Sequence, residues 1–581
     1  MKGNVKKAIA VLTLLMVSLF ISACNRNVDV TTMTDGRWDH HIQIDVFNDV
    51  HTGFIGIQPG WFGREVYERF NMSMNHIGAP DGDFELIFAT RAAAGELGDL
   101  IFVAGARIEE VVIGGLVMDI TNYVVNNMPE YNRQFPGAVA RARTFMPSGN
   151  IYALPTDVSS QPFGSPAFAG TDVSRAPYLR FDAYMGIGAP TLNVLEDLLP
   201  TLAAMQAYMP YTESGNPTWG FSMFGDWDGL VMAQAEWFDQ MYGFTRLMGP
   251  AALSLDPINQ RVESRIANDG VYKRALRLLF NANQMGLVDP DSPTQTFDDV
   301  WAKFADGQVL FSWYNWLCNH FNIPERVHEG IGYMFVPIGD QNLLMPSINP
   351  NGGDLLVAIG PNAEDPARII AFIDWFSSPE GHEIAMVGPR GLAWDMVGGE
   401  PVVTAFGSEA GLDHGGWQPH PVPEEWGGST FEDGGFQGRG SIVNRWSGME
   451  MNPRTGFAHD PRHWPSVHQG LTQIDLNWAA RFGHGTMVDY LVANNMLAVR
   501  PPVDFLVPEE PSDLNIIRGA AGPLIQSTSW RMVFASNQAE FDSLWADMRD
   551  TVYGLGWQQL VDWEYGIIQQ YFALQPPGFG G

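Results

Sequence analysis

Sixty-five acidic side chains against 33 basic ones supply far more carboxylates than an acid-base mechanism needs. A glycosidase-type pair requires two carboxyls at a defined separation across a substrate. With so many acids, some pair always falls at a flattering spacing, and abundance carries no signal. Ser222 in "GFSMFG" stands among glycines, but the stretch is one residue too long for a nucleophile elbow and reads as a turn. His459, His463 and His468 in "HDPRHWPSVH" are close in sequence. Pro461 and Pro465 nevertheless break the helix that would put two imidazoles on one face. "DPDSPTQTFDD" lacks the glycine and terminal glutamate of an EF-hand loop, and there is no GxxxxGK[ST] phosphate loop and no well-placed GxGxxG. The expectation is a protein that is not an enzyme, with no cofactor and no metal site.

Tryptophan is the informative residue type. The chain has 19, and many are bunched outside segments that look like core helices. Trp219 and Trp227 occur in "PTWGFSMFGDWDG", Trp313, Tyr314 and Trp316 in "LFSWYNWLC", Trp394 in "PRGLAWDM", with Trp417 and Trp426 beyond. Flat, amphipathic rings suit pyranose faces, which turn C–H groups to the π-cloud while Asp, Asn and Arg bond the hydroxyls. Any single one of these tryptophans reads more simply as core; a site holding two or three of them is the expectation.

The elements that must position such a site follow from periodicity. "HIQIDVFND" alternates Ile42, Ile44 and Val46 with polar neighbours and predicts a strand; "GWFGREVYERFNM" has helical spacing; "ELGDLIFVAG" is a short buried strand. That order predicts a parallel α/β layer. "NIYALPTDV" adds a brief strand and ends the first lobe. "APTLNVLEDLLPTLAAMQAYM" predicts a helix kinked or split at Pro200, and "NDGVYKRALRLLFNANQMG" one that stops at Gly286. "GGDLLVAIG" and the Asp365-capped "DPARIIAFIDWF" resume the α/β pattern. Residues 398–470 are rich in Gly, Pro, Trp and His with little periodicity, as in a functional loop or a wrapping segment. Helical patterns close the chain.

Lys2, Lys6 and Lys7, the apolar Ala8–Phe20 and the small Ser22-Ala23 compose an export signal over residues 1–23, with a retained membrane anchor as the second reading. Cys24 follows directly. The other cysteine, Cys318, lies among aromatics and reads as a small buried hydrophobe, so no disulfide framework is expected. A formal charge of −32 argues against nucleic acid or anionic polymers as partners.

"ISAC" resembles the lipobox of bacterial lipoproteins, in which the cysteine receives lipid. Seven further stretches, "GELGDLIFVAG", "GGLVMDIT", "NIYALPTDV", "PYLRFDAYMGIGAPTLNVLEDLL", "ANQMGLVDPDS", "FADGQVLFSWYNW" and "DPARIIAFIDWFSSPEGHEIAMVGPRGLAWDM", resemble in order the extracellular solute-binding lipoproteins of bacterial ABC importers, in their large carbohydrate-associated branch. The departure is "YTESGNPTWG": many relatives carry there an acidic loop suggestive of calcium, and with Asp missing no calcium site is carried over.

The resemblance implies an α/β, two-lobed periplasmic-binding-protein-like (type II) fold with a long C-terminal extension, closing by a hinge on ligand held between the lobes. The expected division is a signal peptide at 1–23, lipidated Cys24 and a tether over 24–37, lobe 1 over 38–158, lobe 2 over 159–320, a return to lobe 1 over 321–397, and an irregular region with C-terminal helices over 398–581. The implied partners are a neutral sugar or oligosaccharide, an ABC permease and, through the lipid, the outer face of the cell membrane. A peptide or uronate ligand, and a lipid-anchored polysaccharide hydrolase, are the alternatives. Candidate ligand residues are Trp61, Asp157, Arg180, Asp226, Trp227, Trp313, Trp316 and Trp394, with Trp for stacking and Asp and Arg for hydroxyls. Arg180 reads equally as a helix-start salt bridge and Asp226 as a turn cap.

Overall fold

Two buried faces on every central strand decide the first core. In Leu100–Ala104, Leu100 and Phe102 point to one side of the sheet while Ile101 and Val103 point to the other, and in Leu355–Ile359 the same split separates Val357 and Ile359 from Leu356 and Ala358. Both sides are covered, which is why these strands are unbroken apolar runs instead of alternating ones. The computed structural model describes residues 38–48, 54–78, 84–160, 173–249, 251–413, 418–436, 451–467 and 471–576. The signal, Cys24 and the tether lie outside them, as do Trp417 and His468.

The six-stranded sheet runs in the order 56–57, 72–77, 42–48, 100–104, 355–359, 153–155. Ile42–Asn48 pairs in parallel with Met72–Ile77 and with Leu100–Ala104, as the strand-helix-strand pattern predicts. "MSMNHI", which buries Met72 and Met74, is a strand the sequence reading passed over. Leu355–Ile359 then enters antiparallel between Leu100–Ala104 and Ala153–Pro155, bringing the returning chain into the middle of the sheet. The Asp365 carboxylate caps the helix Pro366–Phe376 at the Arg368 N–H, as expected.

A second core gathers around an antiparallel sheet of Tyr333–Phe335, Arg175–Arg180 and Phe311–Tyr314, flanked by helices. The chain leaves it later than residue 321. Tyr333 and Phe335 pair with Arg180 and Tyr178, and Leu343–Met345 pairs with Leu497–Val499, so everything to about 345 belongs to this core. Pro200 does not kink a helix either. A short 3-10 turn, Leu195–Asp197, precedes the helix Leu198–Tyr208, and Pro200 falls in the first turn, where its missing N–H is one that would have had no intrahelical acceptor. Val271–Gln284 stops with Gly286 at φ +72°, a left-handed position glycine adopts without strain.

The irregular stretch beyond 398 is a wrapper. Ala410, Leu412, Val422, Phe431, Phe436 and Trp464 all enter the first core, the last through an indole N–H that reaches Ala458 O at 2.7 Å. The terminal helices Ser512–Val533, Gln538–Gly554 and Trp557–Ala573 instead join the second core. The buried Glu564 carboxylate accepts the backbone N–H groups of Ala252 and Leu253 and the guanidinium of Arg518, at 2.8–2.9 Å. No helix among the described residues is long and apolar enough to cross a membrane.

Candidate functional site

A partly open wall of aromatic rings stands on the second lobe, and three short segments hold it. Trp227 belongs to the loop before the short helix Ala233–Glu236, Phe297 and Trp301 open the helix Phe297–Asp306, and Tyr314 and Trp316 end the strand Phe311–Tyr314 and begin the turn after it. Trp227 stacks on Phe297 with centroids 4.5 Å apart and lies 5.8 Å from Trp316. Trp316 in turn neighbours Trp301 at 5.7 Å and Tyr314 at 5.2 Å, and the His320 ring meets Trp301 edge-on at 4.4 Å. Trp227 is 43% exposed, a large apolar area left open to solvent.

Carboxylates fix the wall from behind. Asp226 Oδ2 accepts the Phe297 N–H at 2.7 Å, locking the Trp227 loop to the start of the helix. Thr296 and Asp299 cap that helix reciprocally. Asp228 accepts from Ala233 N–H and from the Trp530 indole at 2.8 and 2.6 Å, so a C-terminal helix buttresses the loop; burial pushes this carboxyl up to about 6. Asn315 Oδ1 accepts the Trp316 N–H at 2.8 Å. Beneath the wall, Trp313 is 1% exposed and packs among Phe221, Trp237, Phe238 and Phe311.

At one end of the wall Arg175 lies over the Tyr314 ring at 4.8 Å, and its Nη2 donates to the Tyr314 hydroxyl. Burial raises the Tyr314 phenol, and the Arg175 charge works against that shift. Arg175 begins the strand Arg175–Arg180 and pairs there with Tyr314.

Of the residues singled out from sequence, the fold brings Asp226, Trp227 and Trp316 together and sets Trp313 directly behind them. The others are elsewhere. Trp61 is 1% exposed: the wrapping segment covers it, with Phe431 stacked on its ring at 5.5 Å and accepting its indole N–H at 3.0 Å. Trp394 is likewise enclosed, against Trp464 and with its N–H on Gly388 O. Neither leaves a ring face for a ligand. Arg180 is the salt bridge: Nε and Nη2 grip both Asp182 oxygens at 3.1 and 2.9 Å while Nη1 reaches Gly307 O. Asp157 lies at the crossover, away from the wall, in the left-handed region at φ +54° and facing Gly353. Phe297, Trp301 and Arg175 were missed, because a helix reading "TFDDVWAKF" looks like any amphipathic helix until its neighbours are known.

The stretch "YTESGNPTWG" has Glu213 as its own acid, but its turn closes on a carboxylate from elsewhere in the chain. Thr212 Oγ1, Ser214 Oγ and Asn216 Nδ2, together with Gln308 Nε2, all donate to Asp306 at 2.6–3.1 Å. His459 is buried against His382, centroids 5.0 Å apart, and desolvation followed by the neighbouring imidazole holds it well below the usual range, at about 3.

No family model and no curated protein matches the sequence. Solved structures do. The chain is similar to an alginate-binding protein solved without calcium ion, at TM-score 0.58 and 14% identity over 92% of this chain and 99% of that one. It is similar to an ABC-transporter substrate-binding protein of S. pneumoniae in complex with kestose, at TM-score 0.58 and 13% identity over 92% and 99%. A solute-binding protein of Bifidobacterium longum infantis, described as binding HMO, matches at TM-score 0.54 and 14% identity over 92% and 99%.

Proposed function

We propose that this chain, with the two-lobed type II fold of solute-binding proteins extended by C-terminal helices, is a capture receptor for a sugar or oligosaccharide, held outside the cell by lipid on Cys24, which delivers its ligand unchanged to an ABC importer. The carrying observation is the aromatic wall of Trp227, Phe297, Trp301, Tyr314 and Trp316, part of it solvent-exposed. Stacked rings of this kind supply area at little entropic cost, since each has only two side-chain torsions to fix. Closure of lobe 1 over a ligand lying on the wall would exclude water from its hydroxyls and present the permease with a distinct shape.

Nothing in this role calls for bond breaking. The carboxylates at the wall, Asp226 and Asp228, are occupied in holding backbone and indole N–H groups. The neighbouring folds carrying sugars in their descriptions point the same way. The test is a thermal-shift screen of the mature chain against oligosaccharides, uronates and peptides, because a ligand that binds only the folded state raises its melting temperature. A sugar-dependent rise is expected; a rise with peptides and none with any sugar would overturn the proposal.

A further inference from the structure

In a chain of formal charge −32, a guanidinium without a carboxylate is conspicuous. Arg175 is such a group among the described residues, and it stands at the Tyr314 end of the aromatic wall. Its partner Tyr314 also feels the charges of Arg246 and Glu236. Arg265 takes Asp239 and shares Glu236 at 2.8 Å with Arg246 at 3.4 Å, so both acids are claimed. No carboxylate among the described residues lies within ion-pair range of Arg175. Its Nη2 is satisfied only by the neutral Tyr314 hydroxyl, and its Nε–H is buried with no hydrogen-bond partner.

The geometry of that vacancy is legible from Arg180, five residues on along the same strand. Arg180 uses Nε and Nη2, the two donors on one edge of the fork, to grip Asp182 with both oxygens. Arg175 offers the same edge, with the Tyr314 hydroxyl at Nη2 and nothing at Nε. Because the Tyr314 oxygen accepts from Arg175, its own hydrogen remains to donate. The phenol O–H, backed by the Arg175 guanidinium, is therefore a donor beside a positive charge, the arrangement that favours an anionic acceptor.

We infer that Arg175 and Tyr314 form an acid-reading subsite at their end of the wall, and that the ligand is a sugar chain bearing a carboxylate at the residue lodged there. The inference rests on the carbohydrate reading and narrows it, at this one position, away from the wholly neutral ligand expected from composition. The remaining sugar residues lie along Trp316, Trp227 and Trp301, where stacking does not depend on charge.

The test compares uronate-containing oligosaccharides with their carboxyl-reduced counterparts, matched in linkage and length, by isothermal titration against the mature protein at low and high salt. The wild type is expected to bind the acidic member of a pair at least about tenfold more tightly, as for a hydrogen-bonded charge, and the preference should shrink with salt. Arg175→Gln should bring the acidic-to-neutral ratio to near one, whereas Trp227→Ala should weaken both members and leave the ratio in place. Equal or tighter wild-type binding of the neutral members overturns the inference while the carbohydrate reading stands. Failure of every member of both series to bind overturns the two together. If Arg175→Gln does not fold, the wild-type ratio and its salt dependence decide alone.

Discussion

Replacing Trp227 by alanine separates a ligand platform from a core residue, because Trp313, a few ångströms behind the same wall, is the matched control. Trp227 is 43% exposed. On about 250 Å² for the whole side chain that leaves about 110 Å², of which a sugar on one face covers about half, contributing about 1.3 kcal/mol at ~25 cal/mol per Å². Loss of that area weakens binding about tenfold. The cost to folding should be smaller than at Trp313, since nearly half of the side chain is already in solvent, although Phe224, Trp237 and Trp316 as well as Phe297 lose a neighbour. Trp313→Ala reverses the pattern: a buried ring leaves a cavity, and the fold loses about 3–5 kcal/mol. Isothermal titration with the oligosaccharide giving the largest thermal shift, alongside melting curves for both variants, reads the two effects separately. A Trp227→Ala protein that melts normally and binds within twofold of wild type would refute the stacking argument and return the wall to the status of unusual surface.

Three further outcomes follow from the side-chain networks. Arg180→Ala should cost about 3–5 kcal/mol of stability, because Asp182 and the Gly307 carbonyl lose a buried partner; sugar affinity of the folded variant should not change, and a selective loss of binding would show that Arg180 contacts ligand after all. Asp306→Ala should loosen the 212–216 turn by about 1–3 kcal/mol as four donors lose their acceptor, visible as faster amide exchange there, while a chelator added to the wild type should have no such effect. His76 and His459 are held neutral by burial at about 4 and about 3. Their contribution is fully present above pH 6.5, and it falls below that as the unfolded chain takes up protons first, by about 1.4 kcal/mol per pH unit for each histidine down to its folded value. His459→Gln should therefore flatten the decline in melting temperature between pH 6.5 and 4, and an unchanged slope would contradict the assignment.

Much of the fold was legible because short-range pattern and long-range burial coincide. Ile42, Ile44 and Val46 alternate, Asp365 caps, and Gly286 stops a helix for reasons carried by a few neighbouring residues. Where the deciding partner is distant, the reading failed. The strand at 72–77 is short and polar on one side, and only pairing with Ile42–Asn48 and Gly56–Ile57 makes it a sheet member. The lobe boundary slipped because Leu343–Met345 is held by a strand more than 150 residues further on, Leu497–Val499.

The site divides along the same line. Composition alone established that aromatic rings, and not titratable groups, carry the information, and proximity in sequence placed Trp227 and Trp316 among the candidates. Which tryptophans are open to ligand was decided only by tertiary packing. Trp61 and Trp394 are the same residue type, yet Phe431 and Trp464 from the chain beyond 398 pack against their rings, and their indole N–H groups are taken by Phe431 O and Gly388 O. Exposure is a property of what lies across the ring, and for a side chain of this size the covering residues come from any part of 581 positions. Charge balance behaves likewise: the sequence counts a deficit of cations, while only the fold reveals that Arg175 has no acid beside it among the described residues.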